Sequence, residues 1–116
     1  MVKEFSITES TRQGAVILRV TGRLDARNAQ TLLRACRSHE ERGDRHLVIN
    51  LSEVTFVASS GVGTLLALTE ELADAGGTVH LVALSDPVKS VIELLNLTQF
   101  LNLGASEAEA LEAIGA

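Results

Sequence analysis

Three short, almost wholly apolar runs, at residues 15–20, 47–51 and 79–84, set the strongest limit on what this chain can become. Each is too short for a helix buried on all sides and has the length and β-branched content of a strand covered on both faces. What lies between them reads differently. From Asp25 onward, Ala29, Leu32, Leu33 and Cys36 recur at i, i+3, i+4 and i+7, a single apolar helix face, while Arg27, Gln30, Arg34 and Arg37 fall off it. The Asp25 carboxylate suits the N-cap of that helix, and Gly43 its stop.

The same alternation continues. A loop is expected over residues 55–59, then a helix from about Ser60 with Val62, Leu65, Leu66, Thr69, Leu72 and Ala73 facing inward, closed by Gly76-Gly77. Ser85 or Asp86 caps a third helix with Pro87 in its first turn, a stripe of Val88, Val91, Ile92 and Leu95, and Asn96 in the left-handed position at its end. Ser106-Glu107-Ala108-Glu109 is a capping-box pattern opening a fourth helix that carries Leu111 and Ile114. At the front, residues 5–9 read as an edge strand, Gln13-Gly14 as a turn and Gly22 as the end of the second strand; residues 100–103 form a short last strand. Strands alternating with helices predict one α/β domain over residues 1–116. Its sheet is mixed and mostly parallel, has four or five strands with the first two antiparallel, and is packed with about four helices.

Composition narrows the function classes. Aromatic residues make up 3% of the 116, with no Trp or Tyr, which argues against a stacking platform for single-stranded nucleic acid. Net charge is −5 and no basic patch runs along the chain, so a phosphate backbone is not the expected partner. One cysteine, Cys36, precludes an internal disulfide and suits a reducing cytoplasm. No apolar run approaches the roughly 18 residues that span a bilayer, and the first residues lack a signal-peptide core, so membrane insertion and export are not expected.

Enzyme readings find little. Ser60 stands in Ala-Ser-Ser-Gly-Val, not in a Gly-x-Ser-x-Gly elbow. Gly61-Val62-Gly63-Thr64 lacks the Lys-Ser/Thr of a phosphate-binding loop, and no Gly-x-Gly-x-x-Gly occurs. No Cys/His cluster has metal-ligand spacing, so neither a metal nor a cofactor is expected. His39 lies among charges late in the first helix, where solvent is its expected surroundings; His46 opens a strand and His80 sits inside one. Glu40-Glu41 and Glu70-Glu71 read as solvated helix faces, and Cys36 as a buried, inert thiol.

Several segments resemble one family in order and spacing. Thr21-Gly22-Arg23-Leu24-Asp25 looks like the Gly-x-Leu-Asp turn of STAS domains, and residues 47–56 like their central strand and following loop. Ser59-Ser60-Gly61-Val62-Gly63 looks like their Ser-Ser-Gly-Leu-Gly helix start. Ser85-Asp86-Pro87-Val88-Lys89 and Leu94-Leu95-Asn96-Leu97 with Phe100 resemble the approaches to their third helix and last strand. The resemblance is to the bacterial anti-sigma factor antagonists, and it covers nearly the whole chain. It implies a non-enzymatic module that, unphosphorylated, binds an anti-sigma factor, itself a serine kinase, and so releases a sigma factor, and that is switched off by phosphorylation of the second serine, here Ser60. It places Asp25, Ser59, Ser60, Gly61 and Val62 at the partner-binding end. The family commonly carries Asp before the two serines where this chain has Ala58, a departure that removes a carboxylate and leaves the hydroxyl acceptor. That departure keeps a second class open, a constitutive STAS module such as an accessory subunit of a transport complex. On residue chemistry alone, helix caps are the favoured reading of Ser59 and Ser60, and Asp25 reads as a cap with no further role; the resemblance reverses the first of these.

Overall fold

A computed structural model describes residues 3–115 of the chain. The order is β1 (Ser6–Arg12), β2 (Ala15–Leu24), α1 (Ala26–Glu41), β3 (His46–Val57), α2 (Ser59–Asp74), β4 (Thr78–Val82) and α3 (Asp86–Leu94). A 3-10 turn (Thr98–Phe100), β5 (Asn102–Gly104) and α4 (Glu107–Gly115) complete it. The five strands lie in one sheet in chain order, with β1 antiparallel to β2 and the other neighbours parallel. This is the mixed, mostly parallel α/β domain that the alternation predicts.

Burial divides by sheet face. Val16, Leu18, Val20, Leu47, Ile49, Leu51, Val79 and Leu81 pack with Leu32 and Cys36 of α1, Leu65, Leu68 and Leu72 of α2, and Val88 and Ile92 of α3. On the other face, Ala15, Ile17, Val48 and Val82 meet Ala110 and Leu111 of α4. Both faces of β2, β3 and β4 are therefore covered, which is why those strands read as apolar runs without alternation. The short α4 is tied down by Glu107, whose carboxylate receives Arg19 through two N–H groups at 2.8 and 2.7 Å and Asn50 at 2.7 Å.

Several expected boundaries move, each for a physical reason. β1 runs on to Arg12 because Gln13 and Gly14, both with positive φ, make a two-residue hairpin turn. Gly22 does not end β2. It adopts φ +96 within the strand, where a Cβ would come within 3.0 Å of the Glu4 and Phe5 backbone. β3 extends through Val57, absorbing most of the segment expected as a loop. β4 stops at Val82, since Ala83 turns to φ +54. The last strand begins later than expected, at Asn102, after the 3-10 turn. In α2 the buried stripe takes Leu68 and leaves Ala73 exposed; in α3, Leu95 is exposed at 40%. At that helix end Asn96 has φ 58, and its N–H and that of Leu97 close on Glu93 and Ile92 carbonyls, the left-handed cap expected of it.

His39 is also not in solvent. It is buried, with Nε2 2.8 Å from Glu9 Oε1 on β1 and Nδ1 3.0 Å from Asp44 Oδ2 after α1. A helix wheel cannot show this, because the residue that pulls His39 inward is supplied by a strand thirty positions away.

Candidate functional site at the C-terminal end of the sheet

Parallel strands joined by helices bring helix starts together at the carboxyl ends of the strands. Here α1, α2 and α3 all begin at that end, following β2, β3 and β4. Asp25 leaves β2 in extended conformation and its Oδ1 accepts the Asn28 N–H at 2.9 Å, the N-cap expected of it. The Asn28 side chain in turn donates to the Arg23 carbonyl at 2.8 Å, so the turn from β2 into α1 is held at both ends.

The start of α2 is built onto that turn. The Ala58 N–H donates to the Leu24 carbonyl at 3.1 Å. Gly61 lies so close to the same carbonyl that a Cβ would stand 2.7 Å from its oxygen and 3.1 Å from Val57 Cγ2. Ala58 occupies the N-cap and offers no side-chain acceptor, so the expectation that Ser59 or Ser60 caps the helix does not hold. Both serines lie within the first turn, at its first and second positions, and both are exposed. The first turn closes instead on the Ala58 carbonyl, which accepts from Gly61 at 2.9 Å and Val62 at 3.2 Å, and the Thr64 hydroxyl donates to the Ser60 carbonyl at 3.1 Å.

The five residues expected at the partner-binding end thus divide. Asp25, Ser59 and Ser60 lie together near the sheet end, with Asp25 half-buried and the serines in the open. Gly61 and Val62 are buried. Val62 belongs to the core with Leu65 and Leu24 and presents no side chain to a partner, because at the fourth helical position its Cβ points back onto the sheet. Gly61 acts only by permitting close approach. Arg23 and Phe56 were not anticipated. Both are exposed beside this end, with the Arg23 guanidinium carbon 4.1 Å from the Phe56 ring centroid. Their signal in the sequence is that Leu51, Val54 and Val57 are spaced by three where a regular strand spaces by two.

Burial, with Glu9 nearby, pushes the Cys36 thiol up to about 12, so it stays protonated. Among the described residues no three His, Cys, Asp or Glu side chains are gathered as for a metal ion. His46 and His80 both bond Thr78 Oγ, at 2.9 and 3.1 Å, on the sheet face beside α4. A cleft of about 420 Å³ lies along β5 and α3, lined by Ala83, Ile92, Leu103 and Glu109, and includes neither serine. No helix is long and apolar enough to cross a membrane among the described residues.

Fold and site together define a small mixed α/β domain that presents a serine-bearing helix start, fixed to a neighbouring strand end, at the C-terminal edge of its sheet. The STAS domain model matches residues 6–110, and the chain belongs to the STAS domain family. It is 24% identical over 100 residues to the anti-sigma F factor antagonist of Paenibacillus polymyxa, covering 85% of this chain and 86% of that protein. Among solved structures, it superposes on an anti-sigma factor antagonist from Mycobacterium paratuberculosis with a TM-score of 0.86 at 26% identity, over 97% of this chain and 96% of the other. It also superposes on the anti-sigma factor antagonist SpoIIAA in unphosphorylated form (TM-score 0.78, 24% identity, 97% and 96% coverage). The phosphorylated form of Bacillus SpoIIAA gives a TM-score of 0.71 at 23% identity, with 96% and 99% coverage. Its homologues are thus anti-sigma factor antagonists.

Proposed function

We propose that this protein is itself an anti-sigma factor antagonist: a cytoplasmic, non-catalytic single-domain module that binds an anti-sigma factor in its unphosphorylated state and is released when Ser60 is phosphorylated. The observation that carries the reading is the exposed Ser60 hydroxyl in a helix start that Gly61 seats against Leu24. The likeness to a protein known in unphosphorylated and phosphorylated forms supports the switch.

The physics of that position suits a reversible charge. A phosphate in the first turn of α2 adds about −1.5 to −2 charges beside the positive end of the helix dipole. Ala58 provides no competing side-chain acceptor there. The domain therefore tolerates the anion, and the disruption falls on the partner's surface. A loss of about 3 kcal/mol at the interface weakens binding more than a hundredfold. The partner is the anti-sigma factor, acting as the serine kinase. Membrane insertion and direct nucleic-acid contact have no part in the mechanism.

A second reading, a constitutive STAS module such as an accessory subunit of a transport complex, rests on Ala58, which removes the carboxylate common before the two serines. Incubation with the cognate kinase and ATP, followed by intact-mass analysis and peptide mapping, separates the two. One phosphate on Ser60 supports the switch; an unmodified chain supports the constitutive module.

A further inference from the structure

Phe56 is exposed at 38% although the local alternation ought to bury it. In the β2–β3 register Gly22 pairs with Val54 and Arg23 with Phe56, so Thr55 is an extra residue with no partner on β2. In a regular strand Phe56 would share the inward face of Val54. The bulge gives that face to Val57 instead and turns Thr55 and Phe56 both outward. The ring arrives beside Arg23, which points out between the buried Gly22 and Leu24 and whose guanidinium stacks on it at 4.1 Å. Arg23 forms no ion pair among the described residues, whereas Arg19 and Arg37 each hold a carboxylate. Its backbone is fixed by the bond from Asn28. The bulge thus turns an aromatic ring outward two residues before Ala58, where it meets a guanidinium that has no ion-pair partner among the described residues.

We propose that Arg23 and Phe56 form a recognition platform that extends the Ser59–Ser60 docking end onto the adjoining sheet surface, and that its occupant is an acidic, apolar patch of the anti-sigma partner. Arg and aromatic residues, Phe among them, are enriched at protein interfaces, and Arg is enriched among the residues that carry most of the binding energy. The guanidinium has its planar fork of donors free for a partner carboxylate while its face stays on the ring. The exposed remainder of Phe56 takes an apolar side chain next to that carboxylate. The platform lies against the end of β3 that leads directly into Ser59, so one partner surface covers both. The other exposed large apolar side chains, Leu94, Leu95 and Phe100, lie where α3 ends and β5 is about to begin, at the opposite end of the sheet.

This inference rests on the antagonist reading, and the experiment separates their failures. The anti-sigma kinase that phosphorylates the protein is titrated calorimetrically with wild type, Arg23→Ala, Arg23→Glu, Phe56→Ala and, as a control at the far end, Leu94→Ser. Arg23→Ala and Phe56→Ala are expected to weaken binding by roughly tenfold or more, and Arg23→Glu by more than Arg23→Ala. Leu94→Ser is expected to bind as wild type. Raising the salt concentration should weaken wild type more than Arg23→Ala, because only the former loses a screened charge contact. Thermal melts coinciding with that of wild type would show that the exposed substitutions leave the fold intact. If wild type binds and the Arg23 and Phe56 variants bind equally well, the platform is overturned and the antagonist reading stands. If wild type does not bind, both fall.

Discussion

The backbone of Leu24 and the α-carbon of Gly61 are packed so closely that a methyl group on Gly61 would stand 2.7 Å from the Leu24 carbonyl oxygen. That oxygen already accepts the Ala58 N–H, so the strand end and the serine-bearing helix move as one piece. Gly61→Ala is expected to cost about 2–3 kcal/mol by overpacking, measured by urea denaturation. Gly63, two residues on, has nothing within 4 Å of its would-be Cβ. Gly63→Ala should instead stabilise the protein by up to about 1 kcal/mol through helix propensity. Equal effects at the two glycines would contradict the assignment of close approach to Gly61 and not to Gly63.

Ala58→Asp supplies the missing acceptor at the N-cap of α2. It is expected to raise stability by about 1 kcal/mol in denaturant titration. If the carboxylate also matters to the switch, the same variant is phosphorylated faster by the cognate kinase or binds it more tightly. Equal rates and affinities would make the departure at position 58 neutral for function.

Two groups give stability a pH dependence of known sign. The Arg19 guanidinium, with Asn50, holds the Glu107 carboxyl down at about 2. Its folded value lies below its unfolded one, so its contribution is present above the ordinary carboxylate range and is lost as pH falls toward 2. The difference in melting temperature between wild type and Glu107→Gln should therefore shrink as pH is lowered from 5 toward about 2. Burial, with His46 nearby, pushes His80 down. The folded state then disfavours the charged imidazole, and stability is lost as pH falls below the usual histidine range. His80→Asn should flatten that loss in melts taken between about pH 7 and 5. An acid limb unchanged by either substitution would contradict these assignments.

Cys36 is fully buried on the α1 face, and its thiol is pushed up to about 12. A thiol reagent added to native protein at neutral pH should label it only as fast as the domain unfolds, and at full speed in denaturant. Rapid labelling of the native state would place Cys36 at the surface.

What the sequence revealed and what it hid follow from the range of each signal. Buried strands and amphipathic stripes are local periodicities, so the α/β order, the Asp25 cap and the Asn96 cap were readable. The two bulges in β3 were not, because each inserts a residue whose only mark is a spacing of three among Leu51, Val54 and Val57. They hid both the true end of the strand and the outward turn of Phe56. His39 was misplaced because Glu9, its partner, is remote in the chain. At the site, the serine motif was legible through its resemblance to a family. The inward turn of Val62 was legible too, from the stripe it shares with Leu65 and Leu72; the non-capping positions of Ser59 and Ser60 were not, because they depend on where α2 begins, a boundary displaced by one residue.

In the proposed switch the charge on Ser60 decides partner binding. Its most direct test is the affinity of the anti-sigma partner for wild type, for the same protein phosphorylated stoichiometrically at Ser60, and for Ser60→Ala, with melts confirming that all three stay folded. Wild type and Ser60→Ala are expected to bind tightly, and the phosphate to weaken binding more than about a hundredfold. Equal affinity of the phosphorylated and unphosphorylated proteins would contradict the switch.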